Sequence, residues 1–257
     1  MTDLFGQGEY GIRFDWGLVG AQATQSAVVV VVDVLSFSTA VTVAVERGMR
    51  VYPYPWKGSE AQAFAAEHRA VVAVGRRESS GEGHAPVPSL SPASLLECVP
   101  VPRLVLPSPN GSTISADLQQ CGAIVAVGCL RTAGAAAWGL PPVVSSGPRP
   151  VGVNAAGSRW PHDDSLRPAL EDHLGAGAIL SSLVALGLGE AMSPEARSTA
   201  DLFDAAQESL EQRLHSCVGG RELVSVGFAS DLDVAGDQNA SNVVPVLADD
   251  GAFASTP

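Results

Sequence analysis

Three stretches of this chain gather residue types that handle anions and hard cations. Asp33 closes a run of five valines, Val28–Val32. A carboxylate there sits at the end of a rigid element, where it can ligate a cation or attack a substrate. Ser36, Ser38 and Thr39 are better placed to cap the next helix, which leaves Asp33 for chemistry. Ser108-Pro109-Asn110-Gly111-Ser112-Thr113 opens a second helix. Asn110 and Gly111 permit a sharp turn, and hydroxyls such as Ser112 beside unpaired helix N–H groups make an anion cradle. Paired with the equivalent loop Ser36–Thr39, it would bring two helix N-termini onto one phosphate.

Glu171-Asp172 falls in the first turn of a helix expected to begin near Pro168. Acids there complement the helix dipole. However, His173–Leu188 is too apolar for an exposed helix, so the pair must be solvated, paired or metal-bound. Neighbouring side chains on a helix diverge, so one carboxylate is expected to ligate while the other orients. Arg159 is suited to gripping an anion, whereas Arg167 reads as an i,i+4 partner of Glu171. His162 reads as a solvated loop residue. Asp231 and Asp233 either complete the carboxylate set or lie on the surface.

Hard oxygen donors point to Mg²⁺ rather than zinc. The four cysteines (Cys98, Cys121, Cys129, Cys217) form no CxxC pair and share no ligand spacing with the five histidines. Magnesium, a phosphate cradle and water make phosphoryl-ester hydrolysis the natural reaction class. The competing readings are a non-catalytic anion binder and a serine hydrolase, and the latter lacks a Gly-x-Ser-x-Gly elbow. Lys57 is the only lysine, which disfavours Schiff-base chemistry. A formal net charge of −12 disfavours nucleic acid and membrane surfaces as partners. The N-terminus has no basic n-region, and the apolar run Leu174–Gly189 is short for a bilayer span. The chain is therefore expected to be cytoplasmic, with a small phosphorylated acid as its partner and homo-oligomerisation left open.

The elements that must position these residues emerge from patterning. Hydrophobic residues make up 46% of the 257, enough for a well-buried core. Val28–Val32 reads as a central strand covered on both faces. It is followed by a polar loop, a helix to Val45, Gly48 at the helix end and a strand from Val51. Val28–Tyr54 aligns without a gap on Pro102–Gly128, with Ser38-Thr39 on Ser112-Thr113 and Gly48 on Gly122. The expected fold is a layered α/β/α domain with a mainly parallel or mixed sheet. It would be built from two similar strand-loop-helix-strand units plus a C-terminal helical segment. It would span 1–257 as one domain, with any subdivision near 92–102 and a partly flexible tail from about 236. Ligands in such sheets bind beyond the carboxyl ends of the strands, where all three stretches lie.

Those stretches resemble the 2-phosphosulfolactate phosphatase family. The resemblance rests on Val32-Asp33-Val34-Leu35 with Ser38-Thr39, and on Asn110-Gly111-Ser112. It continues through Ala156-Gly157 with Glu171-Asp172 and Gly175-Ala176-Gly177-Ala178 to the region Gly220–Asp231. It implies a layered α/β fold and a Mg²⁺-dependent phosphatase that releases sulfolactate and phosphate on the route to coenzyme M, with Asp33, Asn110, Glu171 and Asp172 as functional residues. Ser36 stands where the family commonly has Arg, and Leu90 where it has Asn. Arg76 or Arg77 is the candidate to supply the missing charge. The substrate then becomes 2-phosphosulfolactate or another phosphorylated hydroxy acid. Asp33, Glu171 and Asp172 are the expected metal ligands and catalytic groups. Ser36, Ser38, Thr39, Asn110, Ser112 and Arg159 are the expected phosphate or substrate contacts. Leu35 stands where phosphatases with an aspartyl nucleophile carry a second acid, so metal-activated water is preferred to attack by Asp33.

Overall fold

A computed structural model describes residues 4–55, 58–76, 87–139 and 149–255. Lys57, Arg77, most of the loop Gly75–Pro92 and most of the connector Pro141–Pro150 lie outside the described residues. Eleven strands are described: β1 (Ile12–Trp16), β2 (Val28–Val32), β3 (Arg50–Tyr54), β4 (Val71–Val72), β5 (Arg103–Pro107), β6 (Ile124–Gly128), β7 (Val151–Ala155), β8 (Ser158–Arg159), β9 (Leu166–Arg167), β10 (Pro245–Leu247) and β11 (Phe253–Ser255). Nine of them form one mainly parallel sheet in the order β1-β7-β2-β6-β10-β11-β3-β5-β4, and β8 and β9 form a separate small hairpin.

The five valines of β2 explain its central place. All five are buried, and they alternate between two cores. Val28, Val30 and Val32 pack with Ile179, Leu180 and Leu183, while Val29 and Val31 pack with Phe37, Val41 and Ile114. Each fully buried valine contributes on the order of 1.5–3 kcal/mol. Strand β2 pairs in parallel with β7 on one side and β6 on the other, which rigidifies the point where Asp33 begins.

The two similar units are present. The helices Phe37–Glu46 and Gly111–Gln120 each follow a strand and lead to another. Neither unit pairs its own two strands, however. In sheet order β2 and β6 lie in one half, and β3 and β5 in the other. Both halves are parallel within themselves, and the antiparallel hairpin β10–β11 joins them. The segment from about 236, expected to be a partly flexible tail, supplies the strands at the seam. Val246 pairs with Ala126, and Phe253, fully buried, pairs with Val51. Its short runs lack any local period, so only the unfilled place between β6 and β3 reveals them.

The long apolar helix spans Leu170–Ala185, two residues later than Pro168 suggests, with Ala169 as its extended N-cap. It buries Leu174, Ile179, Leu180 and Leu183. Among the described residues no helix is long and apolar enough to cross a membrane.

Candidate active site

The loop after β2 turns Asp33 back over the start of the helix Phe37–Glu46. Asp33 Oδ1 accepts from Phe37 N at 3.3 Å, and Oδ2 accepts from Gly111 N at 3.2 Å. The two helix N-termini do converge, but on this carboxylate. Asp33 is the cap, and the serines that seemed better placed are occupied elsewhere. Ser38 Oγ accepts from Asp33 N at 2.9 Å and donates to the Val31 carbonyl at 3.0 Å. Thr39 Oγ1 donates to the Val34 carbonyl at 2.8 Å, and Ser112 Oγ to the Leu106 carbonyl at 3.4 Å. All three side chains are fully buried, so they shape the loops and present no hydroxyl to a ligand. Gly111 is required by this convergence: a Cβ there would come within 2.2 Å of the Phe37 ring.

Glu171 and Asp172 divide their roles as their divergence on the helix requires. Asp172 Oδ1 accepts from Val34 N at 2.7 Å and Oδ2 from Gly157 N at 2.9 Å, so this side chain pins the loops that follow β2 and β7. Glu171 swings toward the helix Val218–Ser225. A Cβ on Gly219 would lie 2.3 Å from its Oε1, so glycine is what lets the carboxylate sit there. Its Oε2 is buried without a hydrogen-bond partner. Glu171 also lies beside the Cys217 thiol, which burial and this negative charge push up to about 12.

Asp33, Glu171 and Asp172 line one cavity of about 250 Å³, together with Asn110, Arg76 and Arg167. Leu35, Leu223, Val226 and Phe228 form apolar parts of its wall. No histidine lines it among the described residues. Burial raises the Asp33 carboxyl to about 6, with Glu171 adding to the rise and the Phe37 and Gly111 N–H groups and Arg76 opposing it. Burial, and then the charges of Asp33 and Glu171, hold Asp172 well above the ordinary carboxylate range. Ionising Asp33 in this place costs about 3 kcal/mol, less than the burial of the β2 valines contributes.

Two carboxyls, Asp33 and Asp172, raised by burial and by neighbouring charge, and the orphaned, buried Glu171 Oε2 form an oxygen-donor set that a hard cation would satisfy. Among the described residues no group of three or more His, Cys, Asp or Glu is gathered as a complete metal cage. Mg²⁺ fits this restriction, because it usually takes only one or two carboxylates and completes its shell with water and phosphate.

The remaining candidates separate. Asn110 borders the cavity, and its Oδ1 accepts from Arg159 Nε at 3.3 Å. Arg159 itself is exposed, also donates to the Asp164 carbonyl at 3.0 Å, and does not line the cavity. Arg167 lies on β9 ahead of the helix, 6.0 Å from the Trp160 ring centroid, and faces the cavity instead of forming the helical pair with Glu171. His162 is exposed beside Asp163 at 3.4 Å, and Asp233 is exposed beside His215 at 3.7 Å. Asp231 is fully buried and holds Arg76, whose Nε lies 3.2 Å from its Oδ2. Arg76 Nη2 in turn donates to Ser36 Oγ. Leu90 packs against the second core, and Ser91 caps the helix Pro92–Glu97. Sequence reasoning missed Gly219 and the tie from Asp231 to Arg76. The Ser91-Pro92 helix start was the one local signal of the latter, and it points to a cap and not to a partner 140 positions away.

No curated protein matches the chain. The model of the family described as 2-phosphosulpholactate phosphatase matches residues 18–250, a stretch that includes every cavity residue named above. A match over that much of the chain shows that it belongs to the 2-phosphosulpholactate phosphatase family.

Proposed function

We propose that this protein hydrolyses a small, multiply charged phosphomonoester with Mg²⁺, and that 2-phosphosulfolactate is its substrate, giving sulfolactate and phosphate. The observation that carries this reading is the buried, unpartnered Glu171 Oε2 in the same cavity as Asp33 and two arginines. Asp33 and Glu171 would hold the cation, and Asp172 would orient the loops around it. When bound, the metal supplies positive charge for the phosphoryl oxygens and lowers the pKa of water. Both Asp33 oxygens already accept backbone N–H bonds, which favours a holding role for this carboxylate over attack on phosphorus. Arg76 and Arg167 offset the negative charge of a substrate entering an acidic cavity. A cavity of about 250 Å³ suits a substrate of few heavy atoms.

The test is phosphate release from a panel of small phosphorylated acids, including 2-phosphosulfolactate, with Mg²⁺ and with EDTA. Turnover that EDTA abolishes and Mg²⁺ restores is expected, highest for substrates bearing a second acid group. Saturable binding with no turnover of any panel member would instead identify an anion-binding protein.

A further inference from the structure

Asp231 is a fully buried carboxylate outside the cavity wall. Its Oδ1 accepts from Ser91 Oγ at 2.5 Å and from Ala93 N at 3.2 Å, and its Oδ2 accepts from Arg76 Nε at 3.2 Å. Arg76 does reach the cavity, with 21% of its side chain exposed, and its Nη2 donates to the Ser36 hydroxyl in the Asp33 loop. One guanidinium is thus fixed between the helix Ala229–Gly236 and the loop that carries Asp33.

A buried ion pair is a poor way to gain stability, because desolvation offsets most of its attraction. Apolar side chains would join these segments at less cost. The pair does supply a guanidinium of fixed orientation at a cavity wall, and the planar Arg fork matches phosphoryl oxygens. Arg76 and Asp33 line the same cavity, and the positive charge opposes the rise of the Asp33 carboxyl.

We infer that Asp231 is a positioning residue: through Arg76, aligned by Ser36, it holds the group that grips the phosphoryl oxygens of the ligand. The inference rests on the proposed phosphatase reading for the ligand's identity, but it does not require turnover. The Ser36 position then needs no charge of its own, since the guanidinium arrives from another segment and the hydroxyl only orients it.

Inorganic phosphate is the probe. Its affinity would be measured by titration calorimetry, with and without Mg²⁺, for the wild-type chain, Arg76→Lys, Asp231→Asn and the double variant. Hydrolysis kinetics and thermal unfolding would be followed in parallel. Arg76→Lys keeps the charge and loses the fork, and Asp231→Asn keeps the shape and frees the guanidinium. Each is expected to weaken phosphate binding about 10- to 100-fold, the range for a lost charge-assisted hydrogen bond. The double variant should be no weaker than the weaker single one, because the effect of Asp231 on the ligand runs through Arg76 while its bonds to Ser91 and Ala93 anchor it from behind. Multiplicative losses in the double variant, or wild-type affinity in either single one, would overturn the inference. So would a wild-type chain that binds no phosphate. If the wild type binds phosphate in this Arg76- and Asp231-dependent way but hydrolyses no ester, the proposed function fails and the inference stands. Where Asp231→Asn does not fold, Ser91→Ala removes another anchor of the same carboxylate, and unchanged phosphate affinity in that variant counts against the inference.

Discussion

Gly219→Ala separates the stability of this fold from its chemistry. Gly219 lies in the first turn of the helix Val218–Ser225 and has no positive φ, so alanine suits its backbone. Helix propensity alone favours the variant by about 0.5–1 kcal/mol. The new Cβ, however, would lie 2.3 Å from Glu171 Oε1, and real Cβ contacts essentially never fall below 3.0 Å. The carboxylate must therefore retreat by at least about 0.7 Å. It borders the cavity, so it has somewhere to go without unpacking the core. Catalytic groups have to be held within about 0.5 Å of their productive positions, and a displacement of about 1 Å costs on the order of 100-fold in rate. The expected result is a melting temperature at or above that of the wild type with kcat/KM reduced about 100-fold. A higher Mg²⁺ concentration should be needed for half-maximal activity. Gly8→Ala, where a Cβ meets nothing within 4 Å, serves as the control. Activity within about threefold of wild type, with an unchanged Mg²⁺ dependence, would refute the assignment of Glu171 to the reacting centre.

The Asp33 carboxyl, raised to about 6 by burial, must ionise before it can hold a cation. At subsaturating Mg²⁺, kcat/KM is expected to rise about tenfold per pH unit below about 6 and to flatten above it, and a flat profile between pH 5 and 7 would contradict this. For the metal-free protein the sign reverses. The folded state holds this proton more tightly than the unfolded chain, so its contribution to stability falls as pH rises from 3.8 to about 6, as denaturant titrations at several pH values would register. Ser38→Ala removes two buried hydrogen bonds and should lower stability by roughly 1–3 kcal/mol in urea unfolding while leaving KM within about twofold. Arg159→Ala should change kcat/KM by less than about threefold, because this exposed side chain does not line the cavity. Arg167→Ala should raise KM about tenfold, and steady-state kinetics on both variants would expose a reversed order.

The five-valine run and its terminal aspartate are legible as a central strand with a carboxylate at its end, because strand burial on both faces leaves a continuous β-branched signature. The same holds for the acidic first turn of an apolar helix: Glu171 and Asp172 are conspicuous because the rest of their helix carries no other acid and is mostly apolar. The two similar strand-loop-helix patterns anticipate that two helix N-termini come together, though on the Asp33 carboxylate, since local periodicity encodes elements and their order. Which groups meet at that junction is not a local property. Whether Ser38 or Asp33 caps the helix depends on where the Val31 carbonyl and Gly111 N lie once β2 and β5 are in the sheet. The use of Pro245–Leu247 and Phe253–Ser255 at the sheet's seam depends on a gap between strands more than 100 residues earlier in the chain. Arg76 is tied to Asp231 across 155 positions and to Ser36 across 40, and no spacing rule spans such distances. Sequence by itself determined the fold class, the strand-end acid and the acidic pair, because strand and helix patterning act over a few residues. Only the tertiary structure decided which carboxylates are pinned, which oxygen is left without a partner and which arginines line the same cavity, because burial and Coulomb forces act between neighbours in space.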